Sequence, residues 1–177
     1  IRFLTAGESH GKGLLGIIEG LPSNIKISET YVKQHLSRRQ KGHGRGGRMK
    51  IEDDFAEFIG GVRYGETLGG PIGLQIKNRD WENWKDVMDH NIPEKPSKPI
   101  TMLRPGHADL AGLQKFGMND IRNILERSSA RETTMRVALG SFCRKMLEDI
   151  GIEIGSRVVQ IHNIKDCLLY TSDAADD

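Results

Sequence analysis

The chain has 177 residues, enough for one domain or part of a larger one. Lys plus Arg number 26 against 24 Asp plus Glu, and a formal charge of +2 gives no bulk drive toward nucleic acid or an anionic membrane. No apolar run approaches the roughly 18 residues of a membrane span and no charged-then-apolar leader opens the chain, so it reads as an intracellular, cytoplasmic enzyme.

In chain order, residues 14–19 are rich in Ile and Leu and read as a strand, and Gly20-Leu21-Pro22 ends it. Residues 25–28 read as a returning strand. Ser28 can cap a helix from about Glu29 to Arg39, with Val32 and Leu36 on one face. Residues 38–50, RRQKGHGRGGRMK, are too glycine-rich for a helix and lack strand alternation, so they form a long basic loop. Strands follow at 55–59 and 72–77, with a short piece at 62–64; the short connections favour antiparallel pairing. Residues 80–89 hold both tryptophans with weak periodicity. Pro93, Pro96 and Pro99 mark an extended connector.

Arg104-Pro105-Gly106-His107 is a turn opening a short helix at 108–116, which Gly117 can stop. Residues 120–126 are ambiguous. The strongest periodicity predicts a helix over 130–150, with Ser129 and Glu132 spaced as a capping box and Gly151 at its end. Residues 152–161 read as one more strand. The last residues, 167–177, are small, acidic and aperiodic after Tyr170, and the stretch from Cys167 is set aside as a non-native or disordered tail, leaving 1–166 as part of a single domain. The chain is expected to stop before the protein does.

Four clusters carry chemistry. The basic loop and its approach hold Arg38, Arg39, Lys41, Arg45, Arg48 and Lys50. Three readings compete for it: a solvated loop, an Arg/Gly-rich nucleic-acid module, or a polyanion pocket in which guanidinium forks match carboxylate and phosphate. The lack of aromatics between the arginines weakens the second. Arg104-Pro105-Gly106-His107-Ala108-Asp109 places His107 near a helix N-terminus, whose positive end disfavours imidazolium where solvent is excluded. Glu126-Arg127-Ser128-Ser129-Ala130-Arg131-Glu132 joins hydroxyls and guanidinium groups to a helix start, a combination suited to an anion. Gly7-Glu8-Ser9-His10-Gly11 holds His10 in a tight turn. It has neither P-loop spacing nor a dinucleotide-binding context. Each cluster also has a plain structural reading as caps, turns and surface ion pairs. The two cysteines, Cys143 and Cys167, form no metal-like pair, so no metal is expected. Together the clusters suit acid–base work on a small, multiply negative molecule, with phosphate as a leaving group.

The same stretches, in order, resemble the chorismate synthase family. The resemblance rests on Gly7-Glu8-Ser9-His10-Gly11, on the basic segment 38–54 (departing mainly at His43 and Asp53), on the glycine-rich stretch 60–72, on Arg104-Pro105-Gly106-His107-Ala108-Asp109, and on Arg127-Ser128-Ser129-Ala130-Arg131-Glu132-Thr133. It covers nearly all of this chain but about the first half of the family's length.

That resemblance implies an α+β fold, a β-α-β sandwich with long helices packed between antiparallel sheets, in a homotetramer. It implies a lyase of the shikimate pathway to aromatic amino acids, which converts 5-enolpyruvylshikimate-3-phosphate to chorismate and phosphate by 1,4-anti elimination. The reaction needs reduced FMN, and in some members NADPH reduces that flavin. His10 is then similar to the acid near the departing phosphate and His107 to a proton donor serving the reduced flavin. Arg39, Arg45, Arg48, Arg104 and Arg131 resemble the substrate-holding arginines, and Arg127, Ser128 and Ser129 the FMN-contacting segment. Further flavin and substrate residues belong to the family's C-terminal half, so this chain alone is expected to be inactive. The competing expectations are a nucleic-acid-binding module using loop 38–50 and a non-catalytic flavin- or phosphate-binding protein.

Overall fold

The computed structural model describes residues 1–41 and 53–166. Its main layer is a four-stranded antiparallel sheet of β1 (Arg2–Ala6), β2 (Gly13–Glu19), β7 (Ile72–Lys77) and β4 (Glu57–Gly60), in that spatial order. Alternation makes the sheet two-faced. Leu14 and Ile18 of β2 and Ile72, Leu74 and Ile76 of β7 are buried, whereas Leu15 and Ile17 point outward and are half exposed. A second antiparallel sheet joins β3 (Ser23–Lys26), β6 (Glu66–Leu68) and β5 (Val62–Arg63).

The buried face of the larger sheet is covered by α5 (Glu132–Asp149), which packs against α1 (Glu29–Gln40) and across β2. At about 1.5 Å per residue, α5 is roughly 27 Å long. Met135, Ala138, Leu139 and Phe142 recur on its inner face and join Val32 and Leu36 of α1 in one core. Burying each large side chain contributes about 1.5–3 kcal/mol. The helix lies close to the sheet because Gly16 has no side chain: a Cβ there would sit 2.5 Å from Met135 Sδ. Three shorter helices, α2 (Trp81–Met88), α3 (Asp109–Phe116) and α4 (Arg122–Arg127), occupy the 78–131 stretch. Among the described residues no helix is long and apolar enough to cross a membrane.

Local signals hold at several ends. Ser28 Oγ accepts from the Tyr31 N–H at 3.2 Å, capping α1. Gly117 closes α3 in the left-handed conformation, φ 62°. After α5 the Gly151 N–H donates to Glu148 O and the Ile152 N–H to Leu147 O, at 3.0 and 2.9 Å, the paired closure of a Schellman motif.

Elsewhere the structure differs from expectation. β1 was not anticipated, because adjacent Phe3 and Leu4 break the alternation. β6 was missed too, at three residues being too short to show a period, and β3 begins two residues earlier than expected. Residues 81–88 are helical although none is buried. The expected capping box at Ser129 and Glu132 does not form, since α5 starts with no side-chain cap. Ser129 Oγ instead donates to Ser9 Oγ, and Glu132 accepts from Thr5 Oγ1 at 2.7 Å. The strand expected at 152–161 is mostly exposed coil, followed by a hairpin of β8 (Gln160–Ile161) and β9 (Ile164–Lys165). The tail expectation lies outside the described residues.

Candidate active site

The link from β1 to β2 brings His10 to the junction of α4 and α5. Gly7 turns the chain at φ 101°, so close to the Gly13 carbonyl oxygen and Leu14 Cα that a side chain has no room. The next residues are fastened to residue 126. The Ser9 N–H donates to the Glu126 carbonyl at 3.0 Å, and the His10 N–H donates to Glu126 Oε2 at 2.8 Å. His10 Nδ1 lies 2.9 Å from both carboxylate oxygens of Glu126, whose side chain is only 6% exposed. Trp84 of α2 stacks on the imidazole with ring centroids 3.7 Å apart, and its own Nε1–H donates to Asp80 Oδ2 at 2.9 Å. The ring is thus held in its plane by Trp84 and at its edge by Glu126.

A second set of contacts runs on from there. The Ser129 hydroxyl donates to the Ser9 hydroxyl at 3.1 Å and accepts from the Arg131 N–H at 3.3 Å. Arg131, whose side chain is 5% exposed, places Nη1 2.9 Å from Asp54 Oδ1. Arg39, at the end of α1, approaches the other Asp54 oxygen at 3.9 Å and donates to Ala130 O at 2.8 Å and to Thr133 Oγ1 at 3.1 Å. Two guanidinium groups from distant parts of the chain therefore converge on one buried carboxylate. A buried charge of this kind requires a partner, and Asp54 holds both arginines in place.

Arg127 donates to the Thr5 carbonyl at 2.9 Å and to the Thr5 hydroxyl at 2.8 Å, tying α4 to β1. Ser128 donates its hydroxyl to Ile124 O at 2.6 Å, within α4's last turn. Arg127, Ser128 and Ser129 line a groove of about 630 Å³ that has Phe116 and Ile124 among its apolar walls and Lys115 and Arg136 at its cationic edge.

Of the residues expected from sequence, His10, Arg39, Ser129 and Arg131 thus share one continuous chain of contacts. Arg104 and His107 sit in the turn before α3. Arg104 is paired with Asp109, and His107 is exposed, so the solvent exclusion invoked for it is absent in the described chain. Arg45 and Arg48 lie outside the described residues. So does most of loop 38–50, whereas Arg39 turns inward rather than toward solvent. Sequence reasoning named no role for three residues that build the site: Glu126, Asp54 and Trp84. Glu126 opened the cluster that runs to Glu132, and that place was the one signal that could have drawn attention to it.

A family model for chorismate synthase matches residues 1–176. The chain is 60% identical over 162 residues to the chorismate synthase of Aquifex aeolicus, covering 91% of this chain and 41% of that protein. It is 54% identical over 167 residues to that of Chlorobium luteolum, covering 94% and 42%. A solved crystal structure of chorismate synthase superposes with a TM-score of 0.71 at 46% identity, over 93% of this chain and 39% of that one. The α+β fold, with antiparallel sheets and long helices, is that of this solved structure. The chain spans about two fifths of the length of the curated relatives it matches.

Proposed function

The chain belongs to the chorismate synthase family, and from that premise we propose that, completed to the length of its relatives, it converts 5-enolpyruvylshikimate-3-phosphate to chorismate and inorganic phosphate by 1,4-anti elimination with reduced FMN. The observation that carries this reading is the convergence of His10, Arg39 and Arg131 at the α4–α5 junction through one run of contacts. A leaving phosphate needs a proton donor and cationic partners together, and these residues supply both.

In this reading His10 gives a proton to the departing phosphate oxygen. Arg39 and Arg131 hold the substrate's anionic groups, joined by Arg45 and Arg48 of the basic loop and by Arg104. Their fixed positions matter more than their number, because preorganised charge costs no rearrangement as the bond breaks.

The groove beside Arg127 and Ser129 suits a flat ring with an anionic tail: its walls include Phe116 and Ile124, and its edge carries Arg127, Arg136 and Lys115. FMN would lie against Arg127, Ser128 and Ser129. When bound in reduced form it supplies electron density transiently as the carbon–oxygen bond breaks, with no net redox change. Ser128 would contribute as an acceptor, since its hydroxyl proton is directed to Ile124 O. His107, in the exposed turn before α3, would exchange a proton at the cofactor side. A homotetramer, a cytoplasmic location and NADPH as the flavin's reductant belong to the same reading.

The test is phosphate release by the chain completed to its relatives' length, under anaerobic conditions with reduced FMN. Release that depends on the reduced flavin is expected. No release under those conditions overturns the reading.

A further inference from the structure

We infer that Glu126 is the positioning residue for His10: its buried carboxylate fixes the imidazole in the Nδ1–H form and makes Nε2 the nitrogen that exchanges a proton with substrate. This rests on the reading of His10 as the acid given above. Both carboxylate oxygens lie 2.9 Å from Nδ1, and an ionised carboxylate only accepts hydrogen bonds, so the proton between them belongs to the ring. Glu126 cannot swing away easily. Its Oε2 also accepts the His10 N–H at 2.8 Å, and its carbonyl accepts the Ser9 N–H at 3.0 Å. Trp84 closes one face of the ring, which opposes rotation out of the carboxylate plane.

The arrangement simplifies the proton transfer. As imidazolium, His10 carries a proton on each nitrogen. When the Nε2 proton passes to the leaving phosphate oxygen, the N–H electron pair stays on Nε2. The neutral ring is then already the Nδ1–H tautomer that Glu126 accepts from. No second proton shift is needed, and the carboxylate remains ionised throughout. Histidine alone in water favours the opposite tautomer, so the form adopted is a direct report on Glu126.

Selective ¹⁵N labelling of histidine in the protein completed to its relatives' length gives the test, with His10→Gln assigning the resonance. At a pH where the ring is neutral, the wild type is expected to show a protonated Nδ1 and an unprotonated Nε2. Glu126→Gln keeps that form, because its amide oxygen still accepts, and Glu126→Ala loses it. In turnover, Glu126→Ala should lower kcat by about 10–100-fold while KM stays within about threefold, and Glu126→Gln should recover most of kcat. A wild-type ring protonated at Nε2 instead overturns the inference, as does an unchanged kcat in Glu126→Ala once the tautomer has switched. If Glu126→Ala fails to fold, the wild-type and Glu126→Gln spectra decide. Absence of phosphate release in the wild type would sink the functional reading separately, leaving the spectra to decide the role of Glu126 on the ring.

Discussion

Arg104 holds the carboxylate of Asp109 with three donors: its backbone N–H at 2.8 Å, Nε at 3.1 Å and Nη2 at 2.9 Å. The turn between them depends on Pro105 and on Gly106, which adopts φ 74°. Asp109 is fully buried while Arg104 remains partly exposed. The pair closes the loop that leads into α3 and aims the rest of the Arg104 guanidinium outward. A residue expected only as a substrate arginine therefore also has a structural task.

The pair makes the α3 entry sensitive to acid. Hydrogen bonds from Arg104 hold the Asp109 carboxyl below the usual carboxylate range, against burial, which pushes it up. A carboxyl lowered on folding stabilises the folded state above its unfolded value, near pH 4, and that contribution is lost as pH falls through the lower folded value. Amide protection over residues 104–109, taken relative to the intrinsic exchange rate at each pH, should therefore fall in the wild type from about pH 4 downward. Asp109→Asn should show low protection at neutral pH already, without the acid step. Equal protection in both proteins at pH 7 would contradict this.

Gly7→Ala should be among the most damaging small substitutions. The residue's φ of 101° is strained for any side chain, and an added Cβ meets backbone atoms of Gly13 and Leu14 that cannot step aside. Strain and overpacking together should cost about 3 kcal/mol. Urea unfolding measures the loss. Because Gly7 begins the loop that carries His10, phosphate release by the completed protein should fall as well.

Features set by adjacent residues could be read from sequence. Ser28, Gly117 and Gly151 act within a turn of their own helices, and β7 lies between a Gly-Pro turn and Asn78, so its bounds follow from alternation. Features set across the chain could not. Glu132 has capping-box spacing, but Thr5, 127 residues away, and Arg136 claim its carboxylate. The Glu126 partnership with His10 spans 116 residues, and Asp54 meets Arg131 only after the sheet and α5 have packed. Histidines and arginines announce themselves by type and glycine context, whereas the carboxylates that orient them look like any surface acid until the fold brings them in.

Tyr31 gives a prediction at the alkaline end. Its hydroxyl donates to Glu148 Oε2 at 2.9 Å, linking α1 to α5. Burial first, then the hydrogen bond and charge of Glu148, push the phenol up to about 12. A phenol raised on folding stabilises the protein fully below its unfolded value, about 10, and that contribution is lost as pH rises through the folded value. Ultraviolet titration should show one tyrosine ionising near 12 that is absent from Tyr31→Phe. The substitution should cost about 1 kcal/mol at neutral pH, measured by denaturant unfolding. A Tyr31 that titrates with exposed tyrosines would refute the link.

Asp54→Asn tests the arginine pair itself. The side chain is 2% exposed, and it meets Arg131 at 2.9 Å, Arg39 at 3.9 Å and the Gln40 amide at 3.2 Å. Removing its charge takes away the carboxylate that both guanidinium groups approach, at a cost of roughly 3 kcal/mol. An anion that enters between them should return part of that stability, since a ligand bound only by the folded state stabilises it. Millimolar inorganic phosphate is therefore expected to raise the melting temperature of Asp54→Asn more than that of the wild type. Arg131→Met in the same background should abolish the extra rise. Equal phosphate shifts in all three proteins would mean that Arg39 and Arg131 do not form an anion site, and the case for a phosphorylated substrate at this junction would lose its support.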